Sequence, residues 1–326
     1  MSKCKENKCK VSIGGQALIE GIMMQGPGGA AVSVRTPDGT IDTEKVEFKH
    51  AKDKFKPLGL PFIRGVVNYI ESMMFGYKCL MISAEKSGLD DLEEDEANMS
   101  KLDKWLNDHI NKKVLGVITG IASVLGMGLA FLLFFYLPTT VTDFFNKLAN
   151  GALTDFRALI EGIMRMIIFV VYIALVSLMK DIKRTFMYHG AEHKTIFCYE
   201  NGFELTVENV RKQSRFHPRC GTSFIFVIII ISVIISSAIS VAAPELRNQT
   251  AVWMLIKLMI LPLITGLSYE FIRYAGKHDN LFVKILAAPG LWMQRLTTKE
   301  PDDDMIEVAL EAFNAVLDKN AEDDIS

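Results

Sequence analysis

His189 and His193 stand four residues apart, with Glu192 between them, in the stretch Tyr188-His189-Gly190-Ala191-Glu192-His193-Lys194. On a helix, positions i and i+4 project from one face, so these two imidazoles can hold a single metal ion. Glu192 lies on the adjoining surface, where a carboxylate can accept a proton from water. A second stretch, His217-Pro218-Arg219-Cys220-Gly221, supplies another imidazole and a thiol, both suited to a borderline-soft ion such as zinc. Glu270 sits near the end of an apolar run, where a carboxylate is costly unless it is paired or ligating. The candidate ligands are therefore His189, His193, His217, Cys220 and Glu270. Glu192 is the candidate catalytic base, and the implied cofactor is a divalent ion with zinc favoured.

Two versions of this site differ in chemistry. If His189, His193, His217 and Cys220 all bind, the shell is closed and structural, and Glu192 orients a histidine. If three protein groups bind, one position stays open and Glu192 can serve hydrolysis. Hydrogen bonding in a polar loop without any metal is the plain alternative. Gly190 argues against a helix here, at a cost of ~1 kcal/mol relative to Ala. Lys194, Arg215 and Arg219 read as topology determinants, or as groups that attract an anionic substrate or lipid headgroup.

Long apolar runs position these motifs. Val114 to Leu137, Ile163 to Met179 and Thr222 to Ala243 are three predicted spans. Glu161 and Arg165, at i,i+4 spacing, are expected to pair where the second begins. Ala251 to Phe271 is the fourth and weakest, with Lys257 expected to snorkel outward and Pro262 to kink it. The His-rich connection, residues 180–221, joins the second and third spans. Basic residues collect there, before the first span and after the fourth; the two other loops hold only Lys147, Arg157 and Arg247. The bias predicts both termini and the His-rich loop on the cytoplasmic side, a reducing compartment in which Cys220 stays available as a ligand.

Outside the spans the pattern changes. Residues 11–48 read as strands, with Thr36-Pro37-Asp38-Gly39 as a turn between two short runs. Glu20, among several glycines, is a functional acid or a turn carboxylate. Residues 60–82 carry apolar side chains at helical spacing, which fits a helix lying in the membrane interface or one packed on the protein's own core. Residues 279–297 form an apolar stretch interrupted at Pro289-Gly290, with Trp292 at headgroup level. Met305 to Leu317 reads as an acidic amphipathic helix.

Composition narrows the classes. Half the residues are hydrophobic and the formal net charge is −2, so nothing favours a nucleic-acid partner. Residues 1–10 are rich in Lys and Cys, unlike a signal peptide. Five cysteines without framework spacing argue against a disulfide scaffold. Cys4 and Cys9 read as tail residues or a small metal clip, and the acidic run Asp90 to Glu96 and the acidic tail from Pro301 as solvated surface.

The stretch Gly14-Gly15-Gln16-Ala17-Leu18-Ile19-Glu20-Gly21-Ile22-Met23-Met24 resembles the opening of the YqhQ-like bacterial membrane protein family. Tyr188 to Thr195, His217 to Ser223, Tyr269-Glu270, Pro289-Gly290-Leu291-Trp292 and Thr297-Thr298-Lys299-Glu300-Pro301 are similar too. The resemblance, covering residues 11 to 315, implies a membrane protein with a metal dependence and names no reaction. His-x-x-Glu-His alone also resembles the inverted zincins, in which two histidines bind zinc and the glutamate activates water.

These readings predict a mainly α, polytopic membrane protein of about four spans with a small N-terminal β domain and interfacial amphipathic helices. Its expected parts are a cytoplasmic β-rich domain (1–56), an amphipathic helix and acidic linker (57–113), a membrane domain (114–278), and an interfacial segment with an acidic helix (279–326). The expected location is the bacterial cytoplasmic membrane. Expected partners are the lipid bilayer and a second membrane protein or second copy. Two functions from different classes remain open: metal-assisted hydrolysis of a membrane-proximal substrate, and a non-catalytic scaffold with a structural metal. A transporter is disfavoured, because the first and third spans carry no charge.

Overall fold

The computed structural model describes residues 13–48, 56–88, 112–218, 220–275, 278 and 280–317. Cys4, Cys9, the run Asp90 to Glu96 and Arg219 lie outside them. Four strands form an antiparallel meander: β1 (Gly14–Leu18), β2 (Gly21–Gly26), β3 (Gly29–Arg35) and β4 (Ile41–Val46). Arg35 pairs with Ile41 across the expected turn, where Asp38 accepts the Thr40 N–H at 3.2 Å. Eleven helices follow among the described residues: α1 (Ile63–Lys86), α2 (Lys112–Phe131), α3 (Leu137–Leu148), α4 (Arg157–Val176), α5 (Lys180–Glu200), α6 (Val207–Arg211), α7 (Thr222–Ala242), α8 (Thr250–Met259), α9 (Leu261–Ala275), α10 (Leu281–Thr297) and α11 (Asp303–Val316).

The chain divides into two compact units. The first comprises residues 1–89, 172–228 and 265–326; the second comprises 90–171 and 229–264. In the first unit the sheet is covered on both faces, because strand side chains alternate between them. Ile22, Met24 and Ala31 meet Tyr188 and Ala191 of α5 and Ile306, Ala309 and Phe313 of α11. Leu18, Met23, Val32 and Val34 meet Phe75 and Cys79 of α1. The sheet is thus a layer inside a larger core rather than a unit packed on itself. The acidic C-terminal stretch does more than solvate a surface: α11 buries its apolar face, while Asp303 pairs with Arg211 and Glu307 with Arg35.

Among the described residues, three stretches are long and apolar enough to cross a membrane: Gly120–Leu148, Thr154–Val176 and Ile225–Ala242. The pair α8 and α9, bent by 44°, makes a fourth if it is one span. The bend falls just before Pro262, which has no N–H to give the Leu258 carbonyl. Pro138 has the same effect on Phe134, and here the freed carbonyl is used: a turn of π-helix spans Leu132–Tyr136, and Arg165 Nε donates to Phe134 O at 2.9 Å.

The second unit overturns two expectations. Arg165 does not pair with Glu161; it bonds Phe134 O and, at 3.0 Å, the Ser232 hydroxyl. Lys257 does not snorkel outward; it is 5 % exposed and ion-paired with Glu161. Glu161 also accepts from Arg157 at 3.1 Å, and Arg157 reaches Asp143 at 2.8 Å. The reason is mutual. Each charge is costly to bury alone, and three helices converge to satisfy them together. One further stretch differs from its reading, since α10 runs unbroken through Pro289 and Gly290. The missing donor deprives only Ile285, whose side chain faces outward.

Candidate metal centre

The centre lies wholly within the first unit and is built on α5. That helix does not continue from the span before it. α4 ends at Val176, Met179 is extended, and α5 restarts at Lys180. It runs straight through Gly190. A Cβ there would lie 2.0 Å from the carbonyl oxygen of Lys299, so glycine is what lets the strand-like segment after α10 cross the helix. The crossing is secured where Lys299 N–H donates to Phe186 O at 2.8 Å.

This crossing orients the first histidine. His189 Nδ1 lies 2.9 Å from the Thr297 carbonyl, and His193 Nδ1 lies 2.6 Å from the Arg215 carbonyl. A carbonyl oxygen only accepts, so each Nδ1 carries the proton and each Nε2 presents a lone pair. His189 Nε2 is 3.3 Å from Cys220 Sγ. One ring nitrogen of each histidine and that sulfur all lie within 4.8 Å of one another. His193 is 1 % exposed, and beyond the Arg215 carbonyl its ring meets the Cys220 side chain. Burial holds its pKa below the ordinary imidazole value, so the ring stays neutral, the form that ligates.

Glu192 is buried beside this group, with Oε2 lacking a hydrogen-bond partner. Burial raises its pKa above the usual carboxylate range, opposed by the neighbouring His189 and His217 side chains and by the Gly15 N–H. A Cβ on Gly15 would fall 2.9 Å from Glu192 Cδ and 2.7 Å from Met23 O, so β1 approaches this carboxylate through a glycine.

His217 stands next to the trio. Its ring is 5.7 Å from that of His193 and packs edge-on to Phe197, and its Nε2 lies 3.4 Å from Glu200. Burial pushes its pKa down to about 4. The structure does not bring Glu270 into the group. Its carboxylate is gripped by Arg64 of α1 through two contacts of 2.6 Å. Lys194 and Arg215 also have other partners. Both pair with Glu300, and Lys194 donates to the Arg211 carbonyl. Glu20 occupies the turn between β1 and β2 at φ 49°, where Arg184 and the Tyr188 hydroxyl hold its carboxylate.

Two comparisons with known proteins bear on this arrangement. The family described as "Protein of unknown function (DUF1385)" matches residues 60–319. The chain belongs to this family. It is also 35% identical over 316 residues to the "Uncharacterized protein YqhQ" of Bacillus subtilis (strain 168), covering 96% of this chain and 94% of that one. No solved structure matches. The DUF1385 match takes in all of α5, the His217 loop and α10, whereas β1 with Gly15 lies outside it and within the longer likeness to YqhQ.

In this DUF1385 chain the donor set fits a divalent ion. Two buried or part-buried imidazoles facing one thiol offer the nitrogen and sulfur donors that such an ion takes. Carbonyls that fix both Nδ1 protons are the usual outer support of metal-binding histidines. Sequence reasoning missed four supports: Gly15, Glu200, Gln294 and Thr297. Gly15 and Thr297 stand only within the stretches that resemble the family, whereas Gln294 carried a signal of its own. It lies with Gly290 and Thr297 at i−4 and i+3 on α10, a small and polar stripe in an otherwise apolar helix.

Proposed function

We propose that this protein is a divalent-metal-dependent hydrolase of the bacterial cytoplasmic membrane, acting on a membrane-proximal substrate at the cytoplasmic face. The observation that carries the reading is the convergence of a ring nitrogen of His189, one of His193 and Cys220 Sγ beside the buried Glu192 carboxylate. Those three residues would hold the ion, zinc by the nitrogen and sulfur donors, with His217 adjacent as a fourth candidate. Bound there, zinc supplies Lewis acidity toward a carbonyl or phosphoryl oxygen. Glu192 is suited to take a proton from water and return it to a leaving group, because burial raises its proton affinity above that of an ordinary carboxylate. The Thr297 and Arg215 carbonyls keep both rings in the ligating tautomer, and the Gly15 N–H steadies Glu192. The distribution of basic residues supports the cytoplasmic placement, with both termini on that side.

A second reading is favoured by the burial of His193, Glu192 and His217, each 5 % exposed or less. In it the ion is structural and pins the His217 loop to α5, while the apolar helices engage a partner membrane protein, a second copy or lipid. One variant separates the two. Protein purified without chelator should carry about one zinc per chain, and His193→Ala should lose it. Glu192→Gln should keep the zinc yet fail to restore a deletion strain. Full complementation by Glu192→Gln means the catalytic reading is wrong, and metal-free native protein removes both.

A further inference from the structure

α1 has two apolar faces and uses only one. Phe75, Gly76 and Cys79 turn toward the sheet; Phe75 and Cys79 join its core, and Gly76 is so close to β1 that a Cβ there would meet Gln16 Oε1 at 2.4 Å. A second row, Ile63, Ile70, Met74, Tyr77 and Met81, follows the seven-, four- and three-residue spacing of one helix face. Every one of these side chains is exposed, Met74 at 70 %. So long an apolar row left open on one helix marks an interaction surface.

The start of the same helix shows what covers that surface. Gly65 and Gly266 pack directly on one another: a Cβ on Gly65 would lie 2.9 Å from Gly266 Cα, and one on Gly266 would lie 2.7 Å from Phe62 O. Asn68 donates to the Tyr269 hydroxyl at 2.7 Å, and Arg64 holds Glu270 bidentately. The first turns of α1 are therefore fastened to α9, the closing half of the bent pair that can form a span. Soon after α9 ends, α10 begins with Leu281, Phe282 and Ile285 all exposed. A helix anchored at the end of a span, with an open apolar row and a tyrosine within it, meets the conditions for burial in the headgroup and upper acyl region.

We infer that α1 is an in-plane membrane helix whose Ile70, Met74, Tyr77 and Met81 face inserts into the bilayer surface, so that α1 lies between the lipid and the sheet on its other face. The occupant of this face is phospholipid rather than a second copy or another protein.

The test uses the full chain in vesicles of phosphatidylethanolamine and phosphatidylglycerol with brominated acyl chains. A fluorescent amino acid is placed genetically at Met74 or Tyr77, at Val171 in a span, or at Asp38 in the β3–β4 turn. Probes at Met74 and Tyr77 should lose most of their emission, as the Val171 probe does, while the Asp38 probe keeps its own. Unquenched Met74 and Tyr77 beside a quenched Val171 would overturn the inference. A photocrosslinking residue at Met74, irradiated in native membranes, gives an independent reading. Phospholipid adducts support the inference, and capture of a second copy or of another protein overturns it.

Discussion

Gln294 holds the backbone of His217 at both ends: its Oε1 accepts the N–H and its Nε2 donates to the C=O, each at 2.7 Å. Gln294 is fully buried, so the loop that carries His217 toward Cys220 is fixed by one amide from α10. Replacing it by leucine removes both bonds, and a buried polar group that loses its partner costs about 1–3 kcal/mol, although the His217 C=O keeps the Cys220 N–H at 3.4 Å. Gln294→Leu should therefore melt markedly lower, and its zinc affinity should fall about 10- to 100-fold because the ligands lose their outer support. Unchanged melting and unchanged zinc affinity would show that this amide does not hold the loop.

The charge cluster around Glu161 gives a prediction independent of metal. Lys257→Met removes the ammonium that pairs with a carboxylate only 2 % exposed. Glu161 keeps Arg157 at 3.1 Å, so the loss should fall below the about 3–5 kcal/mol of a fully uncompensated buried charge. The double variant Glu161→Gln with Lys257→Met should recover most of that loss, since no buried charge is left unpaired between those two positions. Thermal unfolding in detergent measures both. Equal stability of the single and double variants would mean that Glu161 carries no penalty once Lys257 is gone.

Thiol reactivity supplies a pH-dependent check. Burial pushes the Cys79 and Cys198 thiols up to about 11 from an ordinary 9.0. At pH 8 only about one in a thousand of either is thiolate, the form that reacts. Iodoacetamide at that pH should leave both intact in folded protein. The part-buried Cys220 should be alkylated after chelation and protected by added zinc. The sign follows from burial: the folded state favours the neutral thiol, so these two sites oppose unfolding at pH 8. That contribution is lost as pH climbs from 9.0 toward 11. Peptide mapping by mass spectrometry reads all three, and rapid labelling of Cys198 at pH 8 would contradict its burial.

Much of this molecule could be read without coordinates because local chemistry repeats along the chain. Uncharged apolar runs mark the candidate spans whatever surrounds them, and Thr36 to Gly39 marks a turn by its own side chains. His189 and His193 share a face because helix geometry depends only on spacing. Gly190, which argues locally against that helix, turned out to be what permits the crossing beneath Lys299.

The rest was settled by contacts between residues far apart in sequence. A carboxylate near the end of an apolar run must find a partner, but nothing local distinguishes a metal from a guanidinium, and Arg64 proved to be the partner of Glu270. The same holds for Lys257, which is buried rather than snorkelled because Glu161 on another helix faces it. Sequence spacing placed two imidazoles together and proposed a thiol. Only the tertiary structure set Cys220 against them, turned each Nδ1 to a carbonyl and brought Gly15 to Glu192, because hydrogen bonds and burial are satisfied in space and not along the chain.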